Sequence, residues 1–205
     1  MKAQAIRPYH HGNLKEELLT AGLELIAKVG PRAFTLREVA RQAKVSHNAP
    51  YRHFRDKDDL LAAIAGDGFH RLADTMLAES AEALDPRQRM LLNGRGYVKF
   101  AVRNPDHFLV MFDYCDGLEN HAEYAAAGKR AFQILLDSIV AAQEPGHLPA
   151  VDPQALALTA WSLVHGIAKL AIGGHVPFES EAGLLEFTNF ATRALSAGLA
   201  NCGTA

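Results

Sequence analysis

The sequence predicts an all-α chain on three observations. Apolar residues recur at helical spacing along most of its length, no segment alternates as a half-buried strand does, and the breaks fall at glycine, proline or capping-box sequences. Asn13-Leu-Lys-Glu16 has the capping-box pattern, and Leu14, Leu18, Ala21, Gly22, Leu25, Ile26 and Val29 follow at helical spacing until Gly30-Pro31 stops the run. Thr35-Leu-Arg-Glu38 is a second capping box, opening a helix of about nine residues whose apolar side is Leu36, Val39, Ala40 and Ala43. Ser46 is a third N-cap candidate for a short helix through Phe54, with Pro50 in or just past its first turn, where a missing N–H costs little. A long helix should run from Asp56 to about Ala83, with Leu60, Leu61, Ile64, Ala65, Phe69, Leu72, Met76 and Leu77 along one side. Pro86 starts another, through Tyr97, Phe100 and Val102 to Arg103, where Asn104-Pro105 breaks it. A short aromatic helix over 106–115 ends at Asp116-Gly117, and a further one spans about 120–142. After the loop EPGHLPAVDP come two last helices, about 153–173 and 180–200, parted by Gly173-Gly174-His175-Val176-Pro177. The sum is about nine helices.

With 205 residues, 49% of them apolar, the composition is globular and fits one domain or a small one joined to a larger one. No apolar run approaches the roughly 18 residues of a membrane span, and MKAQAIRPYHHGNLKEELL lacks the apolar core of a signal peptide. A cytoplasmic protein without a membrane partner is expected. Cys115 and Cys202 stand far apart without CxxC spacing, so no disulfide framework, metal site or cofactor is indicated. The formal net charge of −2 argues at face value against nucleic acid. Its distribution argues the other way. Residues 1–60 carry 11 Lys and Arg against 7 Asp and Glu, a local +4, which leaves −6 for 61–205. His10, His11, His47 and His53 lie in the basic segment and gain charge if phosphate raises their pKa.

Two short helices joined across Lys44-Val45, with Val45 plugging the turn, make a helix-turn-helix. The stretch TLREVARQAKVSHNAPYRHFRDKDDLL, from Thr35 to Leu61, resembles the DNA-binding domain of the tetracycline-repressor-like (TetR/AcrR) transcriptional regulators. Its most specific part is Val45-Ser46 followed by Tyr51, Phe54, Lys57 and Leu60, and the likeness covers about residues 10–65. Two positions depart from the pattern. Lys44 stands where the family commonly has glycine, and a left-handed lysine costs about 1 kcal/mol. Pro50 replaces a larger apolar residue, which bears on the tilt of the recognition helix. The resemblance implies a helix-turn-helix DNA-binding domain at 1–57 and a helical effector-binding and dimerisation domain at 58–205.

In this motif the second helix enters the major groove with its N-terminal residues at base edges. That places Ser46, His47, Asn48 and Ala49 at the reading end, Ala49 small enough for a thymine methyl. Asn48 either bonds adenine through both ends of its amide or is only an exposed helix-start residue. The resemblance implies phosphate contacts for Tyr51 and His53, and Lys57 adds its ammonium to the N-terminal dipole of the next helix. Thr35 and Arg37 are phosphate candidates on the other side, while Phe54 should face the other helices as core. Arg7, His10 and His11 form either an arm along DNA or a disordered start.

The resembled family pairs its last two helices with their copies in a four-helix bundle. Here the candidate dimer interface is Leu163, Ile167 and Leu170 with Leu184, Phe187, Phe190, Ala191 and Ala194, because the helix at 153–173 is apolar nearly all round. A homodimer would set two reading helices about one DNA turn, or a modest multiple, apart on a palindromic operator. Trp161-x3-His165-Gly166 resembles the Trp-His-Gly signature of one branch of the family's C-terminal domains. On a packing reading Gly166 is a close helix crossing and His165 a satisfied core histidine; on the other, His165 points into a ligand cavity. Tyr97, Phe100, Phe108, Met111, Phe112, Tyr124 and Trp161 could line that cavity, which suits a small apolar or aromatic effector.

His107, Asp113, Cys115, Asp116 and His121 are the densest reactive cluster, but none has HxxxH or HExxH spacing, and there is no nucleophile elbow, P-loop or dinucleotide fingerprint. An enzyme is therefore not expected. Cys115 is either a redox switch or an inert buried thiol. The function expected is a dimeric DNA-binding transcriptional regulator, a repressor released by its effector. The alternative is an effector-independent architectural DNA-binding protein.

Overall fold

The computed structural model describes residues 14–114, 118 and 121–201. Arg7, His10, His11, Asn13, Cys115, Asp116, Gly117 and Cys202 lie outside the described residues. The chain is all-α, with α1 (Leu14–Val29), α2 (Leu36–Gln42), a 3-10 turn (Pro50–Arg52), α3 (Lys57–Glu79), α4 (Pro86–Arg103), α5 (Pro105–Asp113), α6 (Ala122–Gln143), α7 (Pro153–Ile172) and α8 (Glu181–Asn201). Among the described residues there are thus eight α-helices, where the sequence suggested about nine.

The difference lies in the third segment. A helix over 46–54 needs residue 50 to donate to the Ser46 carbonyl, and Pro50 has no N–H to give. Ala49 N–H takes that carbonyl instead at 2.9 Å, and Arg52 and His53 donate three residues back, to Ala49 (3.2 Å) and Pro50 (2.9 Å). The tighter register leaves one 3-10 turn in place of an α-helix. Ser46 opens it through its backbone carbonyl, and no side-chain cap bond is formed there.

The neighbouring signals act as expected. Gly30 takes φ 79 and donates to Ile26 O at 2.9 Å, closing α1. Thr35 and Glu38 form the reciprocal capping box of α2, with Thr35 N–H donating to Glu38 Oε2 at 2.8 Å. Lys44 takes the left-handed turn at φ 59, and Val45 N–H donates back to Ala40 O. Asp56 caps α3, which stops at Glu79, short of Ala83, because Ser80 N–H closes on Met76 O and the chain then tightens into three-residue turns. Asp85 caps α4 with Pro86 at its first position.

One continuous hydrophobic core runs from the helix-turn-helix into the bundle, and Phe54, 3% exposed, belongs to it. The long helix α3 packs on α1 at its start and then on α4, α5 and α6, while α4 carries α7 and α8 on its other sides. At Gly96 the crossing of α4 with α3 is backbone on backbone, since a Cβ there would lie 2.9 Å from Met76 Cα. With a mean hydropathy of 1.5, α7 is the one helix among the described residues apolar and long enough to cross a membrane; here it packs against α4, α6 and α8.

Candidate nucleic-acid interface and ligand cavity

The turn between α2 and α3 projects most of the candidate DNA-reading residues outward. Arg37, Ser46, His47, Asn48, Tyr51 and His53 are all exposed. Ala49 is not. It is 6% exposed and packs inward beside the buried Pro50, because the 3-10 turn rotates these two toward the core. So placed, Ala49 does not offer its methyl to a thymine, contrary to the expectation from sequence. Thr35 is exposed, but its hydroxyl donates to Glu38 Oε2 (3.0 Å) and accepts from Glu38 N–H (3.3 Å), so capping already occupies it. Lys57 is half-buried, its Nζ donating to Arg32 O at 3.1 Å and lying 5.5 Å from the Phe34 ring centre. It fastens the α1–α2 loop to the start of α3. Arg52, not among the residues expected at the interface, is exposed in the same turn between Tyr51 and His53. Its signal was its position, a cation between two phosphate candidates.

Polar contacts join this unit to the rest of the chain. Arg55 forms a two-pronged bond with Asp59, at 2.6 and 2.7 Å, that holds the Asp59 carboxyl down at about 2. His121, just before α6, places Nδ1 3.1 Å from the same carboxylate. Lys15 on α1 pairs with Glu123 on α6 at 3.5 Å, and the Arg32 guanidinium lies 5.4 Å from the Tyr114 ring centre.

Behind α3 lies a cavity of about 230 Å³. Phe69, Leu72 and Met76 of α3 form one wall, and Tyr97, Met111, Phe112 and Trp161 come from α4, α5 and α7. Tyr124, Gly128, Ala131, Phe132 and Leu135 of α6 form the wall facing it. Of the lining expected from sequence, the structure brings together Tyr97, Met111, Phe112, Tyr124 and Trp161. Phe100, Phe108 and His165 do not line it. Phe100 and Phe108 are fully buried in the core, and His165 stacks on Phe108 with ring centres 5.3 Å apart. Helical spacing identifies an apolar stripe without saying which turn meets a neighbour and which meets a void, so the α3 wall, and the α6 wall apart from Tyr124, are legible in the sequence only as core faces.

Trp161 Nε1–H donates to the Tyr97 hydroxyl at 3.1 Å, and that hydroxyl lies 2.8 Å from His165 Nδ1. Because the tryptophan can only donate, the Tyr97 proton points to Nδ1, which assigns His165 as the neutral tautomer protonated on Nε2. Burial lowers the His165 pKa, with the Lys169 charge adding to it, and burial raises that of Tyr97. Tyr124 donates to Met111 O at 3.2 Å. The polar atoms of the lining side chains are thus internally bonded, and no Asp, Glu, Lys or Arg lines the cavity among the described residues. It offers rings and methyls to an uncharged occupant.

The remaining reactive residues among those described are spread over separate polar contacts: His107 with Asp67 at 3.1 Å, Asp113 with Lys169 at 2.5 Å, and His121 with Asp59. The His107 contact, then Arg71 at 2.6 Å, hold the Asp67 carboxyl below its usual range.

On the far side, α7 and α8 present apolar residues to solvent: Leu170 is 47% exposed, Phe187 42% and Phe190 68%, with Ala194 also exposed. Leu163 and Ala191 are half-buried. Ile167 on α7 and Leu184 on α8, expected in the same interface, are buried within the subunit, because both helices pack on α4 and divide their apolar residues between it and the outside. Gly166 is likewise not a close crossing in this chain, since a Cβ there would meet nothing within 4 Å.

Comparison with known proteins matches residues 18–64 to the family model described as bacterial regulatory proteins, tetR family, and residues 91–194 to the tetracyclin repressor-like C-terminal domain. An HTH-type transcriptional repressor of Mycobacterium tuberculosis is 40% identical over 47 residues, 23% of this chain and 25% of that protein. The chain thus spans about a quarter of that relative's length. A protein of unknown function from Rhodococcus sp. RHA1 has a solved structure that superposes with a TM-score of 0.83 at 32% identity, covering 96% of this chain and 100% of that one. The fatty acid degradation regulator FadR from Bacillus halodurans superposes at 0.78 with 16% identity, over 93% of this chain and 98% of its own, a likeness of fold alone.

Proposed function

The chain belongs to the tetR family of bacterial regulatory proteins, DNA-binding transcriptional regulators rather than enzymes, and from that premise we propose that it is a homodimeric repressor that a small uncharged apolar effector releases from a palindromic operator. The observation that carries this reading is the shared use of α3. The helix begins right behind the reading turn and, about three to five turns on, supplies Phe69, Leu72 and Met76 to the cavity wall. An occupant that spreads or fills that wall moves α3, and the reading head moves with it.

Such a movement works against the continuous core and against the His121–Asp59 and Arg32–Tyr114 contacts as well as the Lys15–Glu123 pair. Lys15–Glu123 is an exposed pair, worth roughly 0–1 kcal/mol in water. A coupling of about 1–3 kcal/mol is typical of allosteric regulators. The cavity suits a compact molecule, since one of about 150 Å³ with apolar walls takes benzene, and this one is larger by a few carbon atoms. For the dimer, the support is that α7 and α8 expose the large apolar side chains Leu170, Phe187 and Phe190, while Gly166 on α7 meets no neighbour within the subunit.

Selection of bound duplexes from a random pool tests the reading. Enrichment of a palindrome, its half-sites one DNA turn or a modest multiple apart, is expected. Enrichment of a lone half-site would contradict the dimer, and no enriched motif would contradict sequence-specific repression.

A further inference from the structure

We propose that Asn93 is the polar anchor of the effector site, so that the effector carries an uncharged hydroxyl or carbonyl group on its apolar body. Asn93 lies on α4, one turn before Tyr97, and is 1% exposed. Neither its Nδ2 nor its Oδ1 has a hydrogen-bond partner, although buried amides are nearly always satisfied because leaving them unpaired is costly. The side chain borders a second, smaller cavity of about 30 Å³ with Val164 and Thr192. Thr192 offers it no donor, since its hydroxyl already donates to Thr188 O at 2.9 Å.

This small cavity and the large one share Met76, Tyr97, Leu135 and Trp161 in their walls. These side chains form a wall common to both cavities, and Met76, unbranched and flexible, is the one best able to repack and join the two. The amide supplies an acceptor for a hydroxyl proton and donors for a carbonyl oxygen. No charged side chain borders either cavity among the described residues, so a carboxylate or ammonium would be desolvated without a counter-charge. The anchor therefore selects for a polar but uncharged group, such as a phenol, alcohol, ketone or amide. The assignment rests on the cavity being an effector site, and the test separates the two claims.

Trp161 is the chain's single tryptophan and borders both cavities, so its fluorescence reports occupancy. The probes are 4-tert-butylphenol and its hydroxyl-free analogue 4-tert-butyltoluene, titrated into the full chain and into Asn93→Leu. The wild type should bind the phenol roughly tenfold tighter than the hydrocarbon, and the variant should lose that preference while still taking the hydrocarbon. Free of ligand, Asn93→Leu should melt higher, because an unpaired amide gives way to an apolar group of similar size; a structurally required amide would make it melt lower. Should the leucine variant fail to fold, Asn93→Ala carries the same loss of preference. An equal preference in both proteins would overturn the assignment and leave the cavity reading intact, as would a wild type with no preference, whose Asn93 then serves a buried water. If neither probe alters Trp161 fluorescence or the melting temperature of either protein, the cavity reading falls and Asn93 with it.

Discussion

Lys44 shows how a single residue can hold a turn against its own preference. At φ 59 it occupies backbone space that disfavours a Cβ, and Lys44→Gly should stabilise the chain by about 0.5–1 kcal/mol, seen as a rise of roughly 1–4 °C in melting temperature. A lower melting temperature would mean that the lysine side chain stabilises the turn by more than the strain. His165 gives a prediction in pH. Its pKa in the folded chain lies below 6.5, so under acid the unfolded chain binds that proton more readily. The neutral ring's contribution is complete above about pH 6.5 and is lost as pH falls through that value toward the folded pKa. His165→Gln removes the titration, so the stability advantage of wild type over variant should shrink on acidification below about pH 6.5. An advantage that grows on acidification would mean that His165 is charged when folded. At this scale the sequence was a mixed guide. Phe54 and Lys44 were legible because one hydrophobe at a fixed spacing and one two-residue turn leave little choice. Ala49 and Lys57 were not, because what each side chain touches depends on the rotation of a turn and the position of a distant carbonyl.

Elements were more legible than their contacts. The capping residues Thr35, Asp56 and Asp85 mark helix starts because each supplies an acceptor to an otherwise unpaired N–H. The recognition element escaped because a motif match extends a helix through Pro50, whereas hydrogen-bond accounting at Ser46 does not. The all-round apolar pattern of α7 likewise pointed to a partner without saying which side was already taken by α4. Glycines on the two helices separate these faces. Gly96→Val would press a side chain on the α3 backbone and should destabilise the fold by about 1–3 kcal/mol or more, measured by urea unfolding. Gly166→Trp has open space in the subunit and should leave the monomer folded while breaking the dimer in sedimentation analysis. A Gly166→Trp chain that still sediments as a dimer would move the interface away from this part of α7.

In the whole molecule, the division of charge and the path of α3 explain each other. The +4 segment holds the reading turn, and the −6 remainder holds the cavity and the apolar outer face, so nonspecific adhesion to DNA should be modest and affinity should depend on two oriented heads. The net charge alone would have pointed away from nucleic acid. What composition could not reveal is the connection, since Phe69, Leu72 and Met76 read as ordinary core until the void beside them is seen. The central claim is that occupancy of this void and grip on DNA are linked through α3, and linkage requires each ligand to weaken the other by the same factor. The most direct measurement is the dissociation constant for the selected operator without and with saturating 4-tert-butylphenol, alongside the phenol's affinity, read at Trp161, without and with operator. The account predicts equal losses in both directions, of roughly 5–150-fold. A phenol that saturates the Trp161 signal and leaves operator affinity unchanged would contradict it.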